Sequence, residues 1–321
     1  MPFHVIITGA TGFIGSAVLT ELLSSGCEVT VLLRPGSDTA RLTSRSGFSK
    51  LVYQQMQDEA TVTELRKNKP DIFIHCGWRG VGGDSRNESY QITENLPTTL
   101  ASVELAASTG CSQWIGLGSQ AEYGNLNCAL NEDAPLRPTT LYGKAKLAAG
   151  VAALALCEAR GMAGVWLRVF STYGPDDSPN WFIPYVIRDY LAGRSPKLTK
   201  CEQLWDYLFV NDAARAVVAV ANGITSGYFN LGSGTAYPLR DYIEEIRTAL
   251  ESPLEPIYGA LPYRQDQVMH LEADISRLIR ITKWHPTTSI AEGIKATIDS
   301  EKKRMKSANE CRNQFNSNHI K

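Results

Sequence analysis

A glycine-rich segment close to the N-terminus constrains the fold more than any other feature. The apolar run His4–Ile7 predicts a strand, and the following TGATGFIG segment opens a helix that ends near Gly26. In such a strand–loop–helix unit the backbone can approach a pyrophosphate at the positive end of the helix dipole. The spacing G-x-x-G-x-x-G departs from the commonest form, G-x-G-x-x-G, but its position predicts a dinucleotide site. The predicted contact residues are Gly9, Thr11, Gly12, Phe13, Ile14 and Gly15.

Apolar runs alternate with helical stretches along the first two-thirds of the chain. The further predicted strands are residues 28–33, 51–53, 71–75, 114–118 and 164–169. The main predicted helices are residues 90–108, 140–160, 181–192 and 239–250. Near-continuous apolar strands separated by helices indicate a parallel sheet buried on both faces. We therefore expect an α/β fold, a doubly wound parallel sheet (Rossmann) with a smaller C-terminal substrate-binding lobe.

The domain limits follow from a change of pattern after about Gly174. We expect a dinucleotide-binding domain at residues 1–174 and a substrate-binding lobe, interleaved with the sheet, at 175–302. Residues 303–321 are rich in Asn, Ser, Lys and Arg, which predicts a polar, frayed tail.

Composition excludes several classes of partner. The chain has 32 basic and 33 acidic residues, a balance that favours neither nucleic acid nor an anionic membrane. No apolar run reaches the roughly 18 residues of a membrane span, and the N-terminus lacks a secretory signal pattern. The cysteines have no disulfide or zinc spacing, and His75, His270 and His285 are isolated. We expect a cytoplasmic protein without a metal.

The end of the second strand predicts the choice of cofactor. Enzymes that use NAD usually end this strand in Asp or Glu, which binds the ribose hydroxyls. Here the strand ends in Leu33 and Arg34, without an acid. An arginine can stack on adenine and bind a 2′-phosphate with two donors, and Arg41 lies one short loop later. We therefore expect NADP(H), against the alternative of a solvated arginine.

Two residues four positions apart predict acid–base chemistry. Tyr142 and Lys146 share one face of the predicted helix, near the carboxyl end of the fifth strand. The lysine ammonium lowers the pKa of a neighbouring phenol, which can then exchange a proton with a carbonyl or alcohol oxygen. Lys146 would also hold the nicotinamide ribose. Ser119 ends the fifth strand, and its hydroxyl can bind the same substrate oxygen.

These motifs together resemble the extended branch of the short-chain dehydrogenase/reductase superfamily, the NAD-dependent epimerase/dehydratase family. The resemblance runs to about residue 300. Its motifs are TGATGFIG, the Y-x-x-x-K pair, and the segments 118–124, 168–175, 208–212, 229–232 and 273–275. Family members epimerise, dehydrate or reduce nucleotide sugars, so the resemblance implies a nucleotide-diphosphate sugar as substrate.

The resemblance also implies roles for single residues. Asp58 matches a residue that contacts adenine, Gly77 a small residue beside the adenosine ribose, and Val169 a cofactor contact after the sixth strand. Asn95 matches an asparagine that holds local backbone. The implied substrate contacts are Ser119, Gln120, Tyr142, Ser171 and Arg264. Ser171 departs from the family pattern, because many relatives carry there an asparagine that holds the substrate diphosphate.

The segment after Ser119 separates the possible activities. Dehydratases of the family carry an Asp-Glu pair there, whereas this chain has Gln120 and Ala121, which transfer no proton. Glu122 is one residue late, and on an extended segment it would point the opposite way. A 4,6-dehydratase is therefore disfavoured.

Three functions remain open. The first is an NADPH-dependent reductase of a 4-keto-6-deoxy nucleotide sugar, making a deoxysugar nucleotide for surface polysaccharide. The segment 118–124 resembles reductases of this kind, such as the synthases of CDP-paratose and CDP-abequose. The second is a nucleotide-sugar 4-epimerase with tightly bound NAD(P). The third is a non-catalytic NADP-binding redox sensor, which the Tyr/Lys pair disfavours.

The helix at 140–160 also predicts a homodimer. It is rich in alanine, at positions 145, 148, 149, 152, 153 and 155. Small side chains let helices approach closely, and family members often pair this helix and the one at 90–108 across a two-fold axis.

Overall fold

The predicted apolar runs form a seven-stranded parallel sheet in the computed structural model, which describes residues 3–318. In chain order the strands are β1 (His4–Thr8), β2 (Glu28–Leu33), β3 (Ser49–Val52), β4 (Ile72–His75), β5 (Gln113–Ser119), β6 (Cys128–Leu130), β7 (Ala163–Val169), β8 (Ser171–Tyr173), β9 (Leu204–Trp205), β10 (Tyr207–Phe209), β11 (Gly227–Leu231), β12 (Tyr237–Pro238) and β13 (His270–Ala273). The order across the central sheet is β3-β2-β1-β4-β5-β7-β11. The expected doubly wound α/β fold is confirmed.

The strand order places the site. From β1 the chain builds outward to β3, and β4 then pairs on the other side of β1. Ligands of doubly wound sheets bind where the order reverses, outside the carboxyl ends of the strands. The carboxyl ends of β1 and β4 therefore mark the expected cofactor groove, and Ser119 of β5 pairs with Val169 of β7 along the same edge.

Helices cover both faces of this sheet. They are α1 (Phe13–Ser24), α2 (Glu59–Arg66), α3 (Leu96–Thr109), α4 (Leu141–Ala159), α5 (Phe182–Leu191), α6 (Val210–Ala221), α7 (Leu239–Ala249), α8 (Ser276–Thr282) and α9 (Ile290–Asn318). α1 packs with α6 on one face, and α3 packs with α4 on the other. Both faces of the strands are thus removed from water, which explains their near-continuous apolar sequences.

Beyond Gly174 the chain alternates between the central sheet with its covering helices and the C-terminal lobe. α6 and β11 complete the central layer, because α6 packs on α1 and β11 pairs with β7. α5, α7 and α9 enclose a separate apolar core, flanked by the four-stranded sheet β12-β9-β13-β6. The dinucleotide-binding layer therefore continues past residue 174 and is interleaved with the C-terminal lobe.

The C-terminal segment differs from the expectation of a frayed tail. α9 continues to Asn318, so the expectation is wrong for residues 303–318, while 319–321 lie outside the described residues. Glu301 is buried in this helix, and Arg304 pairs with it and donates to the Asp177 carbonyl oxygen. These contacts hold the helix at residues 301–304 against the segment that carries Asp177. Within residues 3–318, no helix is long and apolar enough to cross a membrane.

Candidate active site

The glycine-rich loop lies against the end of β4. Gly9 has a φ of 71°, and a Cβ there would lie 2.5 Å from the Cys76 carbonyl carbon. A Cβ on Gly15 would lie 2.2 Å from the Gly9 carbonyl oxygen. α1 begins after Gly12 without a side-chain cap and has no acidic residue in its first turn, so its first N–H groups are open to an anion. This loop fits the pyrophosphate of a dinucleotide.

The end of β2 carries positive charge. Arg34 is exposed, and the first acid that follows, Asp38, accepts a hydrogen bond from the Ala40 N–H at 2.9 Å. Arg41 donates to the carbonyl oxygens of Thr11 at 3.0 Å and Asp176 at 2.9 Å. Arg41 is thus held against the glycine-rich loop. Contacts of Arg34 and Arg41 with a 2′-phosphate stay a prediction.

Asp58 and Gly77, two other predicted cofactor residues, each contact the protein's own backbone. Asp58 caps α2, and its carboxylate accepts the N–H groups of Thr61 at 2.6 Å and Gln55 at 3.2 Å. These hydrogen bonds hold the pKa of Asp58 below its usual value. Capping of α2 explains the orientation of the Asp58 side chain, and its contact with adenine stays a prediction. Gly77 follows β4 and borders Gly9 across the switch point.

Ser119 and Tyr142 meet at the carboxyl edge of the sheet. The Ser119 Oγ accepts the Ala121 N–H at 3.1 Å, which leaves its hydrogen free to donate. Tyr142 lies in the first turn of α4, and its N–H donates to the Arg86 carbonyl oxygen at 2.8 Å. Burial raises the pKa of Tyr142, while the hydrogen bond with Ser119 and the Arg86 charge oppose the rise, so the lowering expected from Lys146 is not seen. The binding of one substrate oxygen by both hydroxyls stays a prediction.

Lys146 lies one turn further along α4 and is 4% exposed. Its Nζ donates to the Leu117 carbonyl oxygen at 2.6 Å and lies 3.7 Å from the centroid of the Trp78 ring. Burial lowers the pKa of Lys146 to about 7, and the charge of Glu122 opposes this shift. The predicted proximity of Tyr142 and Lys146 is present, with Nζ 6.0 Å from the Tyr142 ring centroid.

Glu122 differs from the expectation. Residues 120–122 form a 3₁₀ turn instead of an extended segment, and the Glu122 carboxylate is completely buried. It accepts hydrogen bonds from the Ser119 N–H, the Trp166 Nε1 and the Arg168 Nε, each at 2.9 Å. A paired carboxylate behind the strand is no acid or base for substrate. Gln120 and Ala121 therefore remain the residues that follow Ser119.

The predicted substrate residues are dispersed. Gln120 is half-buried in the turn after Ser119. Ser171 follows Val169, and its Oγ accepts the Trp205 Nε1–H at 2.8 Å. Arg264 is 76% exposed in a loop, and within the described residues its one ion-pair partner is Asp266, at 4.0 Å. The structure therefore gathers Ser119, Gln120, Tyr142 and Lys146, but does not join Arg264 to them.

The segment that covers Tyr142 and Lys146 was not predicted from the sequence. Trp78 packs edge-on against the Tyr142 ring, with centroids 6.1 Å apart, and the Arg86 guanidinium lies 5.2 Å from that ring. Asn95 bonds the Arg79 N–H and carbonyl at 3.0 and 2.9 Å, so its predicted structural role is confirmed. An aromatic residue directly after Gly77 was the one signal available.

His75 is buried and makes structural contacts. Its ring bonds the Thr8 hydroxyl at 2.8 Å and stacks on Trp114. Burial lowers the pKa of His75 to about 3, so the ring is neutral. Within the described part of the chain, no three His, Cys, Asp or Glu side chains are grouped to hold a metal ion.

The chain is similar in sequence and fold to proteins that act on nucleotide sugars. The profile of the NAD dependent epimerase/dehydratase family matches residues 5–232. A UDP-glucose 4-epimerase of Mycolicibacterium smegmatis is 26% identical, over 92% of this chain and 97% of the relative. A CDP-abequose synthase of Salmonella muenchen is 24% identical, over 92% and 96%. The structure of a UDP-N-acetylglucosamine 4-epimerase from Methanobrevibacter ruminantium superposes with a TM-score of 0.84 at 24% identity, over 94% of this chain and 99% of that chain.

Proposed function

The chain belongs to the NAD dependent epimerase/dehydratase family, and we propose that it is an NADPH-dependent reductase of a 4-keto-6-deoxy nucleotide sugar. The observation that carries the proposal is the arrangement of Ser119, Tyr142 and Lys146 beside Gln120 and Ala121. The first three residues supply what carbonyl reduction needs. The last two supply no acid or base for the elimination of water.

Tyr142, Ser119 and Lys146 have different roles in the proposed reduction. Bound NADPH would supply a hydride to the C4 carbonyl carbon of the sugar. Tyr142 donates its phenolic proton to the carbonyl oxygen, which becomes the C4 hydroxyl. Ser119 donates a hydrogen bond to the same oxygen and stabilises the charge that develops there. The charge of Lys146 favours the phenolate that remains on Tyr142, and its ammonium also binds the nicotinamide ribose.

The cofactor assignment rests on charge at the end of β2. Arg34 stands where an NAD enzyme would carry an acid, and the nearby Asp38 is engaged in the turn that follows. Gly9, Gly12 and Gly15 would admit the pyrophosphate to the first N–H groups of α1. NADPH as free reductant favours net reduction over epimerisation.

A 4-epimerase is the second candidate, because the relatives include 4-epimerases at the same level of identity as the CDP-abequose synthase. The two activities differ in stoichiometry. An epimerase returns the hydride to the same sugar and consumes no free cofactor, whereas a reductase consumes one NADPH for each product.

The deciding experiment is a panel of 4-keto-6-deoxy nucleotide sugars incubated with NADPH. We expect loss of absorbance at about 340 nm and one new C4 hydroxyl by NMR, with an equal molar amount of NADPH oxidised. Interconversion of 4-hydroxy nucleotide sugars without net oxidation would favour the epimerase instead. NADPH binding without turnover of any nucleotide sugar would favour the redox sensor.

We also propose a homodimer that supplies deoxysugar nucleotide for surface polysaccharide. Val151 projects from the alanine-rich helix α4 with 54% of its surface exposed, and Ile92 near α3 is 43% exposed. A two-fold bundle of α3 and α4 would cover both side chains. We expect light scattering to give the mass of a dimer at micromolar concentration, and Val151→Glu to give a monomer. A monomeric native protein would contradict the proposal.

A further inference from the structure

We propose that Trp78 is a positioning residue that holds the Lys146 ammonium charged and directed beside Tyr142. The proposal rests on the reductase assigned above, because it concerns the residues that serve this reaction. Trp78 directly follows the small residue Gly77, at a position that the resemblance did not cover.

The contacts of Trp78 join it to both residues of the pair. The Lys146 Nζ lies 3.7 Å from the centroid of its ring, within the range of a strong cation–π interaction. The edge of the Tyr142 ring packs against the same indole at 6.1 Å and 89°. Trp166 lies further from Nζ, at 5.6 Å. Trp78 is therefore the aromatic face closest to the ammonium.

A buried network fixes the indole in this orientation. Its Nε1 donates to the Gln91 Oε1 at 2.8 Å, and Gln91 is completely buried. The Gln91 amide donates in turn to the carbonyl oxygens of Gly80 at 2.6 Å and Ser85 at 2.9 Å. Gln91 begins a π-helical turn that ends at Asn95, a local distortion found often at functional sites.

The surroundings of Lys146 explain why an aromatic face matters. Its ammonium is removed from water, and among the described residues no carboxylate lies within ion-pairing distance. The titratable groups that face it are Glu122, Cys76, His75 and Tyr142. His75 is neutral, and burial raises the pKa of Cys76 to about 12, so neither supplies a negative charge at neutral pH. The negative face of the ring offsets part of the loss of water.

The test compares two substitutions that both lose the bond to Gln91. Trp78→Phe keeps an aromatic face over Nζ, whereas Trp78→Leu keeps only apolar bulk. NADPH affinity is measured by fluorescence between about pH 6 and pH 9 in each protein. Affinity should fall as rising pH removes the Lys146 proton. We expect the midpoint to stay near the native value in Trp78→Phe and to drop by roughly 0.4–1.5 pH units in Trp78→Leu.

Controls separate this role from packing. Titration of the NADPH 2′-phosphate is common to all the proteins, and Val81→Ala, an exposed position in the same loop, should keep the native midpoint. Should Trp78→Leu fail to fold, Trp78→Met serves as the variant without a ring. Equal midpoints in the Phe and Leu (or Met) variants would overturn the proposal and leave the reductase assignment intact. A shifted midpoint in a protein that reduces no keto sugar would reject the reductase alone.

Discussion

Two buried cations lie behind neighbouring strand ends, and the chain treats them in opposite ways. Arg168 of β7 is 2% exposed and donates to the Glu122 carboxylate, the Tyr123 hydroxyl and the Glu132 carbonyl oxygen. Burial opposes its charge, but Tyr123 and Glu122 outweigh this and raise its pKa. Lys146 of α4 is also buried, yet among the described residues its Nζ contacts only a carbonyl oxygen and aromatic faces, and burial lowers its pKa to about 7.

The different surroundings of Arg168 and Lys146 suit a structural role for the first and a chemical role for the second. A buried cation that is paired with a carboxylate is fixed in one protonation state and one geometry, so it can hold the turn after β5 against β7 but cannot respond to a ligand. An unpaired buried ion keeps unsatisfied donors and a pKa near neutrality, which are the properties of a group that acts in a reaction. We therefore expect substitutions in the paired region (Arg168, Glu122 and Tyr123) to lower stability and substitutions in the unpaired region (Lys146 and Tyr142) to lower turnover.

The largest expected effect is on turnover. Tyr142→Phe removes one hydroxyl from the unpaired region, and turnover should fall by about 10²–10⁴, the size of general acid catalysis, while NADPH still binds. Lys146→Ala should weaken binding and turnover together. Tyr123→Phe is the matched control, because it removes a buried phenol from the paired region. Near-native turnover in Tyr142→Phe, measured by stopped-flow NADPH oxidation, would contradict the assignment.

Substitutions in the paired region should lower the free energy of unfolding. Arg168→Met leaves the Glu122 carboxylate buried without its cation, which costs about 3–5 kcal/mol in the free energy of unfolding. Urea unfolding measures this loss. The double substitution Glu122→Gln with Arg168→Met buries no charge and should recover much of the stability. If the single substitution costs under about 1 kcal/mol, the pair does not hold the turn after β5 against β7.

How far the sequence predicts each region depends on how local its contacts are. The strands of the central sheet and the proximity of Tyr142 and Lys146 were predictable, because apolar runs and helical spacing are local signals. Glu122 was misjudged, because its burial depends on Arg168, far along the chain. The Trp78–Gln91 contact and the packing of α9 on α5 and α7 likewise depend on residues outside the local segment.

A third buried group tests whether lack of pairing alone produces a shifted pKa. Asp177 is 3% exposed, no described cation lies within ion-pairing distance, and burial raises its pKa from 3.8 to about 7. A carboxyl with a raised folded-state pKa contributes full stability below about pH 3.8 and loses it as pH rises to about 7. The loss is at most about 4 kcal/mol.

The Asp177→Asn variant has no carboxyl to ionise at this position, so its stability is not lowered in this way as the pH rises. Its stability relative to the native protein should rise between about pH 4 and pH 7 and stay constant above. Urea unfolding at both ends of the range measures the change, with Asp176→Asn, an exposed neighbour, as control. The same difference at both pH values would show that Asp177 is ionised throughout, and that burial without a partner does not suffice to shift a pKa in this fold.

The smallest expected effect concerns a cation that is neither buried nor paired. Arg34 is exposed at the end of β2, so water screens its charge until a ligand covers it. A charged hydrogen bond to a 2′-phosphate contributes about 1.5–3 kcal/mol, or roughly ten- to a hundredfold in affinity. Arg34→Ala should therefore weaken NADPH by that factor and leave NADH nearly unchanged, as measured by fluorescence titration. Arg280→Ala, at an exposed position on α8, should change neither. Equal affinity of the native protein for NADPH and NADH would mean that Arg34 stays solvated with cofactor bound, and that an acid missing from β2 does not by itself select NADP.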